Sequence, residues 1–184
     1  MPEPFVFKVN LGGMIDILAN HLYSSPDVFI RELLQNGTDA ISGRRLLDRG
    51  FAQGKITIQV EPERTITFTD NGTGLTEAEI HKFLAVIGQS SKRDLETGRI
   101  LDDYIGRFGI GMLSCFMVTD EIVLQTRSVK SPDTAYEFCG KPDGTYSITA
   151  IDADTVSVGT RIVIQAKNGA EQYFDEETVT RLVR

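Results

Sequence analysis

Cysteine is scarce in this chain, and its scarcity excludes two classes of small protein. The 184 residues contain two cysteines, Cys115 and Cys139. Two thiols cannot build a disulfide framework, and alone they cannot supply the four ligands of a structural zinc site. We therefore predict that both cysteines are small apolar side chains buried in an ordinary hydrophobic core.

The sequence also lacks a long apolar run and an N-terminal targeting pattern. No segment approaches the run of about 20 apolar residues that crosses a bilayer. The first ten residues, MPEPFVFKVN, show neither a basic stretch followed by an apolar one nor an arginine-rich transit pattern. From these absences we expect a cytoplasmic protein that is not embedded in a membrane.

Positive charge is in deficit. The chain has 19 Lys and Arg and 26 Asp and Glu, which gives a formal net charge of -7. Because affinity for a phosphate backbone depends on clustered Lys and Arg, we expect no nucleic-acid partner. The hydrophobic share of 41% and the charged share of 24% are those of an ordinary globular chain, and the length predicts a single domain over residues 1–184.

The first third of the sequence predicts helices. Apolar residues at helical spacing predict one helix over 14–23, and Ser-Ser-Pro-Asp then predicts a new start. The second helix begins near Pro26 or Asp27 and runs to Arg49. A third, short helix follows Thr76, which forms a capping box with Glu79 three residues later.

The remainder predicts strands, with helices over 109–118 and 175–184. Alternating apolar and polar residues predict strands over 55–61, 65–70, 121–127, 135–140, 146–151 and 161–166. The order contains no βαβ series. We therefore predict an α+β fold, a two-layer sandwich in which helices cover one face of a mostly antiparallel mixed sheet.

A polar, glycine-containing segment interrupts this pattern at 88–107, GQSSKRDLETGRILDDYIGR. About 20 residues without periodicity are unusual between elements of a compact domain, and such loops are often functional. We predict a mobile lid here.

The long second helix carries a polar stripe. At about 100° per residue, Glu32, Asn36, Asp39 and Gly43 fall within roughly 60° of one another. The stripe borders the apolar arc that would pack on the sheet. Taken alone, it is equally compatible with a solvated face and with a site.

Two glycine-rich segments accompany the stripe. Asp70 to Gly74, DNGTG, places an acid at a strand end, although such a sequence is also typical of a simple turn. Gly106 to Gly111, GRFGIG, precedes a helix and could bring backbone N–H groups to a phosphate. Neither a Rossmann fingerprint nor a P-loop occurs, so a nucleotide site here must have another design.

Together, in this order, ELLQNGTDA, DNGTG, GRFGIG and Gly159-Thr160 resemble the four boxes of the Bergerat or GHKL ATPase fold. Within that superfamily, the sequence is most similar to the N-terminal domain of the heat-shock protein 90 chaperones, in the segments FIRELLQNGTDA, IGQSSK and IGRFGIGMLSCFMV. The resemblance runs from Phe7 to about Val183.

The resemblance implies roles for particular residues. Glu32 would be the general base that activates water, and the amide oxygen of Asn36 would coordinate Mg²⁺. Asp70 would accept a hydrogen bond from the exocyclic amine of adenine, which selects adenine over guanine. Thr160 and Gly74 would support that contact through water.

Further residues would surround the nucleotide. Leu75, Phe108 and Ala40 would line the base and sugar pocket, although Leu75 and Phe108 are equally compatible with plain core positions. Lys92 in the lid would reach the phosphates. The remaining nucleotide-binding positions implied by the boxes are Asp39, Gly109 and Gly111.

The chain also departs from the family pattern. Gly43 stands where the family usually has lysine, and Ala85 where it usually has asparagine. Two polar contacts to nucleotide are therefore expected to be missing. Leu75 replaces a common methionine, which is a mild apolar exchange.

The resemblance implies the domain of a stress-response chaperone that binds ATP or ADP with Mg²⁺ and drives a dimeric clamp that acts on unfolded client proteins. Its middle domain and its dimerising C-terminal domain do not fit within 184 residues. Three alternatives remain open: a DNA-repair or topoisomerase ATPase, a histidine-kinase catalytic domain, and a binding module without hydrolysis. The acidic balance disfavours the first, and Glu32 disfavours the second.

Overall fold

The fold was analysed in a computed structural model, which describes residues 12, 13, 15, 25–85 and 108–183. The predicted lid at 88–107 and most of the predicted helix at 14–23 lie outside these residues. Residues 12, 13 and 15 are helical. Within the described ranges, no helix is long and apolar enough to cross a membrane.

Helix α1, Val28–Leu47, is the longest described element and confirms the predicted second helix. Its buried side includes Phe29, Ile30 and Leu33. It ends two residues before the predicted Arg49, because Asp48 adopts an extended conformation and its carboxylate accepts a hydrogen bond from the Gly50 N–H at 2.9 Å. Such an Asx turn competes with continuation of the helix.

The predicted hairpin and capping box are confirmed. Strands β1, Ile56–Glu61, and β2, Thr65–Asp70, pair antiparallel around a short 3-10 turn. Helix α2, Glu77–Ala85, follows Thr76. The Glu79 carboxylate accepts from the Thr76 N–H at 2.8 Å, and the Thr76 hydroxyl accepts from the Glu79 N–H at 3.3 Å. Both bonds satisfy N–H groups that a helix start leaves free.

The other elements follow the sequence-based expectations within about two residues, except that the strand expected at 135–140 begins four residues earlier, at Ser131. They are α3 (Phe108–Leu113), β3 (Ile122–Ser128), β4 (Ser131–Gly140), β5 (Tyr146–Ile151), β6 (Gly159–Gln165) and α4 (Glu176–Val183). The predicted helix at 109–118 is α3 followed by a 3-10 turn over Ser114–Met117.

The described strands form one sheet in the order β1-β2-β6-β3-β4-β5, and all their pairings are antiparallel. Strand β6 therefore lies between two strands that precede it in the chain. One sheet face carries the core; on β3, for example, Ile122, Leu124, Thr126 and Ser128 are buried. This arrangement confirms the predicted α+β fold with helices against a sheet.

The core joins α1, α3 and α4 to that face. The rings of Phe29 and Phe174 stack with centroids 5.8 Å apart, and Val179 of α4 is buried with them. Cys115 is fully buried, as predicted. The same prediction is wrong for Cys139, which is only half-buried because it points from β4 to the sheet face opposite the core.

Candidate functional site

A cleft lies between α1 and the core-facing side of the sheet. The space between its walls amounts to about 540 Å³, open solvent included. The lining comes from α1, the first two strands, the glycine loop after β2, and α3, β3 and β6: Leu33, Asn36, Gly37, Ala40, Ile56, Phe68, Thr69, Asp70, Thr73, Gly74, Leu75, Met112, Leu124, Thr160 and Ile162.

Asn36 is the buried polar group on the helix side of this cleft. The residue is 6% exposed, and its Nδ2 has no hydrogen-bond partner among the described residues. An unpaired buried polar group costs about 1–3 kcal/mol. A ligand that pairs with this amide would recover that cost, so the position favours a polar ligand.

Asp70 faces Asn36 from the sheet side. Its Oδ1 accepts from the Gly72 N–H at 2.8 Å, and the carboxylate also accepts from the Thr160 N–H. Burial raises the pKa of Asp70 to about 7, although both hydrogen bonds act to lower it. A carboxylate that titrates near neutrality inside a cleft is a candidate for ligand recognition.

The glycine loop Asp70 to Gly74 must pass close to neighbouring backbone. Gly74 has φ +61°, and a Cβ there would collide with the carbonyl of Arg127. The Thr73 N–H donates to the Ala40 carbonyl at 3.1 Å, and the Val129 N–H donates to the Thr73 carbonyl at 2.8 Å. Glycine is therefore required at 74 to bring the loop between α1 and the sheet.

A guanidinium fastens this loop to α1 from outside the cleft. Arg44 Nη1 donates to the Asn71 carbonyl at 2.8 Å and lies 3.5 Å from the Gly72 carbonyl. Its Cζ lies 4.4 Å from the ring centroid of Phe51, within range of a cation–π contact. We did not predict this residue.

Glu32 lies one turn before Asn36 on α1, outside the cleft lining. Its carboxylate lies against Gly111, where an added Cβ would collide with Glu32 Oε2. Burial, and then the negative charge of Glu32, raise the pKa of the nearby Cys115 thiol to about 12. The glycine at 111 thus leaves room for a carboxylate next to α3.

Six of the residues predicted for the site line the cleft together: Asn36, Ala40, Asp70, Gly74, Leu75 and Thr160. Asp39 does not belong to the lining, and its carboxylate accepts from Gln35 Nε2 at 2.9 Å. Phe108 and Gly109 lie in α3. Lys92 lies outside the described residues.

Met112, Thr126 and Arg44 are among the contributors that sequence reasoning missed. Met112 follows Gly111 on α3 and lines the cleft; its place directly after the glycine segment could have indicated it. Thr126 and Arg44 act through hydrogen bonds to loop backbone. Their partners are 51 and 27 residues away in sequence, so no local pattern indicated them.

One departure from the family pattern, Gly43, lies where α1 meets the glycine loop. A Cβ at Gly43 would lie 3.3 Å from Thr73 Cγ2, so α1 approaches the loop closely there. Arg44, the neighbouring cation, is engaged with loop carbonyls. Ala85 ends α2.

Known proteins resemble this chain over most of its length. A family model for histidine kinase-, DNA gyrase B- and HSP90-like ATPases matches residues 23–166. The chain is 35% identical over 185 residues to the chaperone protein HtpG of Oceanobacillus iheyensis, covering 92% of this chain and 29% of that protein. It is 31% identical over 200 residues to the mitochondrial heat shock protein 90-6 of Arabidopsis thaliana, covering 99% of this chain and 25% of that protein.

A further relative shows the same proportions. The HtpG chaperone of Chlorobium chlorochromatii is 30% identical over 197 residues, covering 99% of this chain and 31% of its own length. The chain thus spans about a third or less of the curated relatives it matches.

Proposed function

This chain belongs to the family of histidine kinase-, DNA gyrase B- and HSP90-like ATPases, and from that premise we propose that it binds ATP and ADP as the nucleotide domain of a molecular chaperone. The observation that carries the proposal is that Asn36 on α1 and Asp70 at the end of β2 line the same cleft. Relatives that are named chaperone protein or heat shock protein favour the chaperone assignment over DNA repair or kinase function.

The adenine would lie at the sheet end of the cleft. There the Asp70 carboxylate can accept a hydrogen bond from the exocyclic amine, with Thr160 next to it on β6. Apolar side chains that line the cleft, among them Leu75, Met112 and Ile162, would contact the faces of the base. A few polar groups in an apolar cleft fix ligand orientation in this way.

The phosphates would lie toward Asn36 and Glu32. The described residues contain no group of three or more His, Cys, Asp and Glu that could hold a metal ion. Mg²⁺ is usually held by one or two protein oxygens together with phosphate and water. Asn36 would supply the protein oxygen, and a bound Mg²⁺ would neutralise phosphate charge.

Glu32 would act as the general base. Its carboxylate, one helical turn from Asn36, can orient a water and accept its proton. We propose that residues 1–184 alone hydrolyse ATP slowly. Longer chains of the family would supply further groups, dimerise and bind client proteins. A cytoplasmic location and a role in the stress response belong to the same proposal.

A calorimetric titration tests the binding proposal directly. ADP with Mg²⁺ should bind the chain at one site, and GDP should bind at least about tenfold more weakly, because a guanine carbonyl would face the Asp70 carboxylate. Omitting Mg²⁺ should weaken ADP. Equal affinity for the two nucleotides, or no heat with either, would contradict the proposed site.

Affinity for ADP should also depend on pH. With a pKa of about 7, Asp70 in the free protein is protonated at pH 6 and ionised at pH 8. If only the carboxylate accepts the amine, apparent affinity falls roughly tenfold from pH 8 to pH 6, because each bound nucleotide must displace a proton. Titrations in buffers of different ionisation enthalpy would count that proton.

The nucleotide itself requires a control in this experiment, since a terminal phosphate also titrates near pH 6. The Asp70→Asn chain shares the phosphate titration and lacks the carboxyl titration. The pH slope of wild type beyond that of Asp70→Asn belongs to Asp70. Equal slopes in the two chains would rule out the carboxyl group as the titrating contact.

A further inference from the structure

A row of three side chains crosses the sheet at the floor of the cleft. Asp70, Thr160 and Thr126 are successive Cα partners on β2, β6 and β3. Asp70 and Thr160 line the cleft. Thr126 is fully buried and is not part of the lining. Any effect of Thr126 on a ligand must therefore pass through its neighbours.

The Thr126 hydroxyl has three partners. The Leu75 N–H donates to Thr126 Oγ1 at 2.9 Å, the Gly159 carbonyl lies 3.0 Å away, and Thr160 Oγ1 lies 3.2 Å away. A threonine hydroxyl has one hydrogen and two lone pairs. Because the Gly159 carbonyl can only accept, it receives the hydrogen. The remaining lone pair then accepts from Thr160, so the Thr160 hydroxyl donates to Thr126.

Both donor hydrogens of Thr160 are thus used within the protein. Its backbone N–H donates to Asp70, and its hydroxyl donates to Thr126. Toward a ligand, Thr160 Oγ1 retains only acceptor capacity, and the ionised Asp70 carboxylate has only acceptors. At the position of the substituent on purine C6, two acceptors bind an amine and disfavour a carbonyl oxygen.

We propose that Thr126 is a positioning residue for base selection: it fixes the direction of the Thr160 hydroxyl and so keeps the floor of the cleft an acceptor edge, which binds 6-amino purines and rejects 6-oxo purines. The inference rests on the proposed nucleotide function and extends it to a residue that the ligand does not touch. It also gives a role to the hydroxyl of a threonine that is fully buried on β3.

The test compares ADP and GDP affinities of wild type, Thr126→Val and Thr126→Ser chains by calorimetry, with competition for the weaker ligand. Valine has nearly the shape of threonine but cannot accept, so the Thr160 hydroxyl becomes free to donate to a purine O6. The preference for ADP should fall about tenfold or more. Serine restores the hydroxyl and should keep the preference within roughly twofold of wild type.

A purely structural role gives a different result. Thr126→Val also leaves the Leu75 N–H without its acceptor, which would weaken both nucleotides by the same factor. A folded Thr126→Val chain with an unchanged preference for ADP would overturn the inference. A wild-type chain that binds neither nucleotide would instead overturn the proposed function, and the inference with it.

A second variant decides the matter if Thr126→Val does not fold. Thr160→Val removes the acceptor and leaves the bonds of Thr126 to Leu75 and Gly159 intact. We expect ADP affinity to fall about three- to tenfold and GDP affinity to stay unchanged. If GDP lost affinity and ADP did not, Thr160 would be donating into the cleft, which contradicts the proposed hydrogen-bond direction.

Discussion

Glu32→Gln is expected to reduce ATP hydrolysis about 10²- to 10⁴-fold, the usual contribution of a general base. Glutamine keeps the size and shape of the side chain beside Gly111 but cannot accept a proton at neutral pH. Single-turnover hydrolysis of labelled ATP, with protein in excess, measures the slow rate without the need for product release.

The same variant should bind ADP with an affinity within about threefold of wild type, because Glu32 does not line the cleft. Glu177→Gln, an exposed change on α4, is the matched control and should hydrolyse ATP at the wild-type rate. If wild type and Glu32→Gln show the same background rate, the chain is a nucleotide-binding module without hydrolysis.

Asp70→Asn should weaken ADP binding about 10- to 100-fold, which corresponds to about 1.5–3 kcal/mol for a hydrogen bond to a charged group. The wild-type carboxylate accepts from the Gly72 and Thr160 N–H groups and still has acceptor capacity for a ligand. An asparagine has one carbonyl oxygen, so its NH₂ group must face either a backbone N–H or the adenine amine. Calorimetric titration with Mg²⁺ and ADP gives the affinity.

The stability of the variant separates lost recognition from lost structure. Burial raises the pKa of Asp70, so removal of its charge also removes a desolvation cost, and the free chain should melt no earlier than wild type by more than a few degrees. Asp133→Asn, at an exposed position on β4, should leave ADP affinity unchanged. Full ADP affinity in a folded Asp70→Asn chain would remove Asp70 from the site.

The local elements of this fold were predictable because their causes lie within a few residues. The capping box follows from the side chains of Thr76 and Glu79, and the hairpin around residues 62–64 follows from the alternation of apolar and polar residues in its two strands. The position of β6 did not follow in this way. Its insertion between β2 and β3 depends on pairings with strands about 95 and 37 residues earlier, for which single-chain periodicity carries no signal.

The residues of the candidate site form the same two groups, those that local sequence indicated and those that only distant pairings bring together. Asn36 and Asp70 lie in motifs that resemble a known family, and the structure brings both to one cleft. Thr126 becomes relevant only because β6 lies in register with both β2 and β3, and Arg44 only because the loop returns beside its helix. The role of each of these residues in nucleotide binding remains a prediction, and Lys92 lies outside the described ranges.

The attachment of the glycine loop by Arg44 limits how this domain can adapt to different ligands. Asp70, which would contact the base, begins the loop, and Asn36, which would face the phosphates, lies on α1. The Arg44 guanidinium and the hydrogen bond from the Thr73 N–H to the Ala40 carbonyl join the loop to this helix. The distance between Asp70 and Asn36 is therefore fixed. Compounds with a longer or shorter spacer between base and anion should lose affinity steeply, since neither Asp70 nor Asn36 can shift independently of the other.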